Sequence, residues 1–95
     1  MEIEIRQGVA SDAAQTTPLI LNAAQSLLTS IFGHNKNKTA DGYLSHAWAL
    51  GGGQYGFNNH WVACKGDEVL GVVTCWHSKL GAAFDRATLD SITSY

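Results

Sequence analysis

The stretch His60–His77, HWVACKGDEVLGVVTCWH, constrains this chain more than any other. It consists of two apolar runs joined by Lys65-Gly66-Asp67-Glu68, which is hairpin punctuation. Gly-Asp at its centre suits a tight turn that needs positive φ. A two-residue loop sets Lys65 opposite Glu68 and Cys64 opposite Val69. One face then carries Val62, Cys64, Val69, Gly71, Val73 and Cys75. The other carries Trp61, Ala63, Leu70, Val72, Thr74 and Trp76. Both faces are apolar, so neither suits open water, and the rest of the chain is expected to cover the hairpin.

Ninety-five residues are enough for one domain, spanning 1–95. Charged residues make up 15% and hydrophobic residues 45%, the balance of a globular chain. The net charge is −2 and no Lys/Arg cluster occurs, so nucleic acid is not an expected partner. No apolar run approaches the roughly 18–20 residues of a membrane span. Met-Glu-Ile-Glu-Ile does not resemble a signal peptide, so the expected location is cytoplasmic. In the register above Cys75 lies about 20 Å from Cys64, too far for a disulfide, so both are expected as buried, reduced thiols.

In chain order, Ile3 and Ile5 alternate with Glu2, Glu4 and Arg6, a strand with one buried face. Ser11 or Asp12 can cap the next segment, and Asp12 with Gln15 has capping-box spacing. Thr17-Pro18 interrupts, so Asp12–Thr16 is at most one helical turn and the main helix begins near Pro18. Its stripe is Ile20, Ala23, Ala24, Leu27, Leu28 and Ile31, and Gly33 is its natural stop. His34–Lys38 is a polar loop, and the Asn37-Lys38-Thr39 sequon is a chance match in a cytoplasmic chain. Thr39 caps a second helix with Ala40, Tyr43, Leu44, Ala47 and Trp48 on one face, ending at Gly51-Gly52-Gly53. Ser78–Ala83 is a short connection. Asp85 is placed to cap a last helix with Leu89 and Ile92 as its apolar side. The order strand–helix–helix–strand–strand–helix is an α+β layout with a small, mainly antiparallel sheet.

Signals for chemistry are weak. Gly51–Gly56 matches G-x-G-x-x-G, but a dinucleotide loop follows a strand and opens a helix, whereas here a helix precedes and a strand follows. A flexible helix-to-strand joint accounts for it. The four histidines show no zinc-site spacing; His60 and His77 lie roughly 13 Å apart along the hairpin, and His46 has only Gly42 four residues before it. His46 therefore reads as a solvated surface residue. Cys64 and Cys75 sit mid-strand rather than in an activated environment. No catalytic residue, cofactor-binding residue or metal ligand can be assigned from these patterns.

Ile5-Arg6-Gln7-Gly8-Val9-Ala10-Ser11-Asp12-Ala13 nevertheless resembles the opening segment of the GNAT N-acetyltransferase superfamily. Trp61–Val73 is similar to that superfamily's second and third strands, with Gly71 at the glycine of the outgoing strand. Two helices between the first strand and the hairpin also agree. The resemblance covers nearly the whole chain but matches only the N-terminal half of the family fold. The family's later strand–loop–helix, which holds the acetyl-CoA pyrophosphate on a Q/R-x-x-G-x-G/A loop, has no counterpart here.

What the resemblance implies is an acceptor-side region of an acyl transfer from acetyl-CoA to an amine. Ile31–Asp41 and Leu50–Asn58 would border a site for a small amine or peptide. The chain alone is expected to bind no acetyl-CoA and to be inactive. Three readings stay open: the leading half of a full acetyltransferase, a stand-alone binding or assembly module, and an unrelated α+β domain. Under the first two, the outgoing strand Val69–His77 leaves an apolar, proline-free edge unpaired. A homodimer through that edge is expected, unless Ala82–Tyr95 folds back as a cover.

Overall fold

A computed structural model of the chain describes residues 2–32, 39–75 and 81–95. Strand β1 (Glu4–Gln7) leads through a 3₁₀ turn (Ala10–Asp12) into helix α1 (Ala13–Phe32). Helix α2 (Ala40–Leu50), a second 3₁₀ turn (Phe57–Asn59), strands β2 (His60–Lys65) and β3 (Glu68–Thr74), and helix α3 (Ala82–Thr93) complete the order. The three strands form an antiparallel sheet in the order β1-β2-β3. The architecture is thus α+β, with the element order that the sequence pattern implies.

The hairpin turns where expected, with Gly66 at φ 61° and Lys65 paired to Glu68. Gln15 clasps its tip: the side-chain amide donates to the Asp67 carbonyl at 2.9 Å and the Val69 N–H donates to its oxygen at 2.9 Å. The register then shifts. Cys64 pairs with Val69 but Ala63 pairs with Gly71, leaving Leu70 as an extra residue in a bulge. One inserted residue turns the alternation over. Beyond Leu70, Val72 and Thr74 therefore share a face with Val62 and His60, while Gly71 and Val73 join Ala63 and Trp61. This corrects the uniform register. The bulge trades Gly71 for Val72 beneath the helices, and a glycine inside a strand is a common companion of such a bulge.

Among the described residues only one sheet face is covered. Helix α1 packs on β3, α2 on α1, and α3 on the far side of α2. The opposite face carries Ile5, 64% exposed, with Trp61 at 48% and Val73 at 59%. These surround a depression of about 230 Å³ over the small residues Ala63 and Gly71. The expectation that Ile3 and Ile5 point inward is overturned, because Ile5 pairs with Ala63 in the open row. On the other side of β1, Arg6 reaches over to Asp12 through two 2.8 Å bonds.

Helix α1 begins at Ala13, five residues before the expected start, and carries Pro18 within it. The missing proline N–H affects only the early turns. The Thr16 and Thr17 hydroxyls donate to the carbonyls of Asp12 and Ala13 at 2.9 and 2.8 Å. At Ala24 the backbone leaves helical geometry (φ −109°, ψ 17°), and the inward stripe becomes Thr16, Ile20, Leu28 and Phe32. Leu27 and Ile31, expected inside, are half exposed because the break rotates the second half of the helix. Gly33, the His34–Lys38 loop and the Asn37-Lys38 part of the sequon lie outside the described residues.

Helix α2 forms as its sequence dictates. The Thr39 hydroxyl accepts the Gly42 N–H at 3.1 Å, and Tyr43, Leu44, Ala47 and Trp48 are all buried. Their partners make an aromatic core: Phe32 stacks on Tyr43 at 4.8 Å, with Tyr95 edge-on to both. Such pairs add about 0.5–1.5 kcal/mol each beyond burial. Helix α3 departs from expectation. Gly81 rather than Asp85 occupies its N-cap, and Leu89 and Ile92 face outward. Its inner side is Phe84, Ala87, Thr88 and Ser91, at helical spacing. Small side chains there let the helix approach the glycine loop closely.

Candidate functional site

A cleft of about 380 Å³ lies where α1, the loop after α2 and β3 meet. Leu19, Ile20, Ala23 and Ala24 form one wall, Val72 and Thr74 the other, and Gln54 with Tyr55 the end. Two alanines in succession, at the point where the α1 backbone breaks, keep that wall low. On the sheet side the bulge at Leu70 turns Val72 and Thr74 toward the helices. The sheet-side wall thus depends on a local irregularity.

The end of the cleft depends on the glycine loop. Gly51 closes α2 with φ 87°, its N–H donating to the Trp48 carbonyl at 3.2 Å. Gly53 has φ 78° and passes so close to α3 that a Cβ there would lie 2.7 Å from the Thr88 nitrogen. A Cβ on Gly56 would fall on the Gly51 carbonyl. The loop amides are used within the protein: Gln54 N–H donates to the Thr88 hydroxyl, Gly56 N–H to the Gly53 carbonyl and Asn58 N–H to the Gly51 carbonyl. The segment is therefore a tied junction and not the flexible joint its composition suggests. The close approaches permitted by Gly53 and Gly56 are made to Thr88 and Gly51 of the same chain.

Tyr55 lines the cleft at 9% exposure, with its ring edge-on to Tyr43 at 6.0 Å. Its hydroxyl has no hydrogen-bond partner among the described residues. The neighbouring Tyr43 hydroxyl, in contrast, is paired with Ser91 Oγ at 2.8 Å. Burial pushes both phenols above their ordinary pKa, so each is neutral and able to donate at physiological pH. The Thr74 hydroxyl and the Gln54 side-chain amide likewise have no partner among the described residues. Among the described residues no charged side chain lines the cleft.

Of the segments expected to border an acceptor site, Leu50–Asn58 contributes Gln54 and Tyr55. Ile31 and Asp41 are elsewhere; Asp41 lines a shallow groove with Pro18 and Asn22. Residues 33–38 of the other expected segment lie outside the described residues. Thr74 carried no recognisable signal, since it becomes a wall only through the bulge, whereas Ala23 and Ala24 stand three and four residues after Ile20 on the expected helical stripe.

His60 is fully buried behind this region. Its Nδ1 bonds to the Gly56 carbonyl at 2.7 Å, so Nδ1 carries the proton, and its ring lies 4.8 Å from Trp48. Nε2 is buried without a partner. Burial holds the imidazole below its usual pKa, against the opposing pull of the Gly56 bond. His46 is more than a solvated surface residue, because Nε2 pairs with Ser94 Oγ at 2.8 Å. His34 and His77 lie outside the described residues. Among the described residues no three His, Cys, Asp or Glu side chains cluster as a metal site. Cys64 is buried but Cys75 is exposed, which corrects the reading of two buried thiols. Among the described residues no helix is long and apolar enough to cross a membrane.

The fold and cleft define an α+β protein with a concavity of small-molecule size. No family model, curated protein or solved structure was found to match the chain.

Proposed function

We propose that this chain is the acceptor-side half of a GNAT-like N-acetyltransferase architecture. In this reading it holds part of a small amine or peptide in the α1–β3 cleft and transfers no acyl group by itself. The observation that carries the reading is the cleft: it is edged by the Leu50–Asn58 loop, on the side where the resemblance puts the acceptor. The element order from β1 to β3 supports the same lineage. Bonding of the Gln54, Gly56 and Asn58 amides within the chain supports the reading that the glycine loop is a structural junction and not a pyrophosphate site. Calorimetric titration of the folded protein with acetyl-CoA tests this. Flat heats are expected; saturable binding would overturn the claim that the chain alone holds no acetyl-CoA.

A second reading, a non-catalytic binding or assembly module, is favoured by the sheet. Strand β3 pairs only with β2 among the described residues, and Ile5, Trp61 and Val73 expose an apolar face beside it. Pairing of two copies along the β3 edge, from Val69 toward His77, would bury unpaired backbone groups. Residues 76 and 77 of that edge lie outside the described residues.

A further inference from the structure

We propose that the α1–β3 cleft selects an uncharged ligand portion, a compact apolar body bearing a hydrogen-bond acceptor that the Tyr55 hydroxyl serves. This deepens the reading of the cleft as an acceptor-side pocket, for it states which part of the acceptor enters and in what charge state. The walls from Leu19, Ile20, Ala23, Ala24 and Val72 offer dispersion contact and no charge. An ammonium or carboxylate moved into such a space would lose part of its hydration and meet no counter-ion among the described residues. A ligand that displaces water from the cleft and leaves the phenol unpaired forfeits that hydrogen bond. A carbonyl, ether or hydroxyl oxygen within reach of Tyr55 avoids that cost, and Thr74 and Gln54 supply further neutral partners at the same cleft. An amine on the acceptor therefore stays at the mouth, hydrated, while its apolar portion enters. A volume of about 380 Å³ accommodates a substituted aromatic ring.

The test uses three probes of one size and different charge: benzyl alcohol, benzylammonium and benzoate. Each is titrated into the full 95-residue chain and followed by backbone amide NMR at pH 7. Benzyl alcohol is expected to give saturable shifts at Leu19–Ala24, Gln54–Tyr55 and Val72–Thr74, with both ions at least tenfold weaker. Tyr55→Phe, which keeps the ring, is expected to weaken benzyl alcohol roughly fivefold, the loss of one neutral hydrogen bond. Ala23→Leu adds volume on an exposed helical position and is expected to abolish binding with the fold intact. Equal binding of an ion, shifts confined to another surface, no saturable binding, or indifference to Ala23→Leu would each overturn the assignment. The acetyl-CoA titration separates the two claims: binding of acetyl-CoA would refute the claim that the chain alone holds none while leaving the charge selectivity of the cleft standing.

Discussion

Asp12 is the group whose removal should reveal most about how the layers are joined. Its carboxylate receives both terminal guanidinium nitrogens of Arg6 at 2.8 Å and the Val9 N–H at 2.9 Å. It is thus ion-pair partner to β1 and cap to the turn that opens α1. Its side chain is 8% exposed, whereas that of Arg6 is 34% exposed and can turn to water when the partner is lost. The pair, discounted for that exposure, is worth about 1–2 kcal/mol. The lost cap adds about 1 kcal/mol. Asp12→Ala should therefore destabilise by about 2–3 kcal/mol, lowering Tm by roughly 8–24 °C in a chain of this size. Asp12→Asn keeps an oxygen for Val9 and should lose about 1 kcal/mol less. Urea unfolding followed by far-ultraviolet circular dichroism measures both, with Arg6→Met completing a double-mutant cycle. The ion pair and cap hold the Asp12 carboxyl below its usual pKa. Its stabilisation is then fully present above the unfolded value near pH 4 and is lost as pH falls through the folded value. The acid limb should flatten in Asp12→Ala. A loss under about 0.5 kcal/mol, or an unchanged acid limb, would refute the reasoning.

Three further outcomes are expected from the same structure. Gly53→Ala combines a left-handed backbone with a Cβ 2.7 Å from the Thr88 nitrogen, so a loss above about 2 kcal/mol is expected, with faster amide exchange in α3; a Tm unchanged from that of the parent would contradict the close approach. The His60 imidazole is held below its ordinary pKa, so the unfolded chain takes the proton first. Stability should be full above about pH 6.5 and fall below it, and His60→Phe should remove that slope; a flat profile between pH 7.5 and 5.5 would refute it. If copies pair along β3, light scattering at micromolar concentration will read twice the 10.2 kDa of one chain, and a monomer mass would exclude that pairing.

The legible parts of this protein were those whose cause is local. Thr39 is followed by a helical stripe because a hydroxyl before an apolar repeat caps and buries in the same step. The hairpin turns at Gly66 because positive φ suits glycine. The irregular parts were harder to read. Leu70 occupies no place in a strict alternation, and Ala24 looks like any other helical alanine. Proline at position 18 suggested a helix start, yet Thr16 and Thr17 continue the helix by bonding back to its carbonyls. The candidate cleft inherits part of this opacity: Gln54 and Tyr55 fall in a loop the sequence singles out and Ala23 and Ala24 on the expected helical stripe, whereas Thr74 reaches it only through the bulge.

Sequence alone determined the elements, their order and the antiparallel hairpin, because propensity, capping and apolar period act over a few residues. Tertiary structure decided which faces those elements bury. A single extra residue in β3 inverts its outer half, and a single non-helical residue turns the end of α1. Ala87, Thr88 and Ser91, not Leu89 and Ile92, face inward because only small side chains fit beside Gly53. Each choice depends on what lies across the interface, and no window along the chain contains that information.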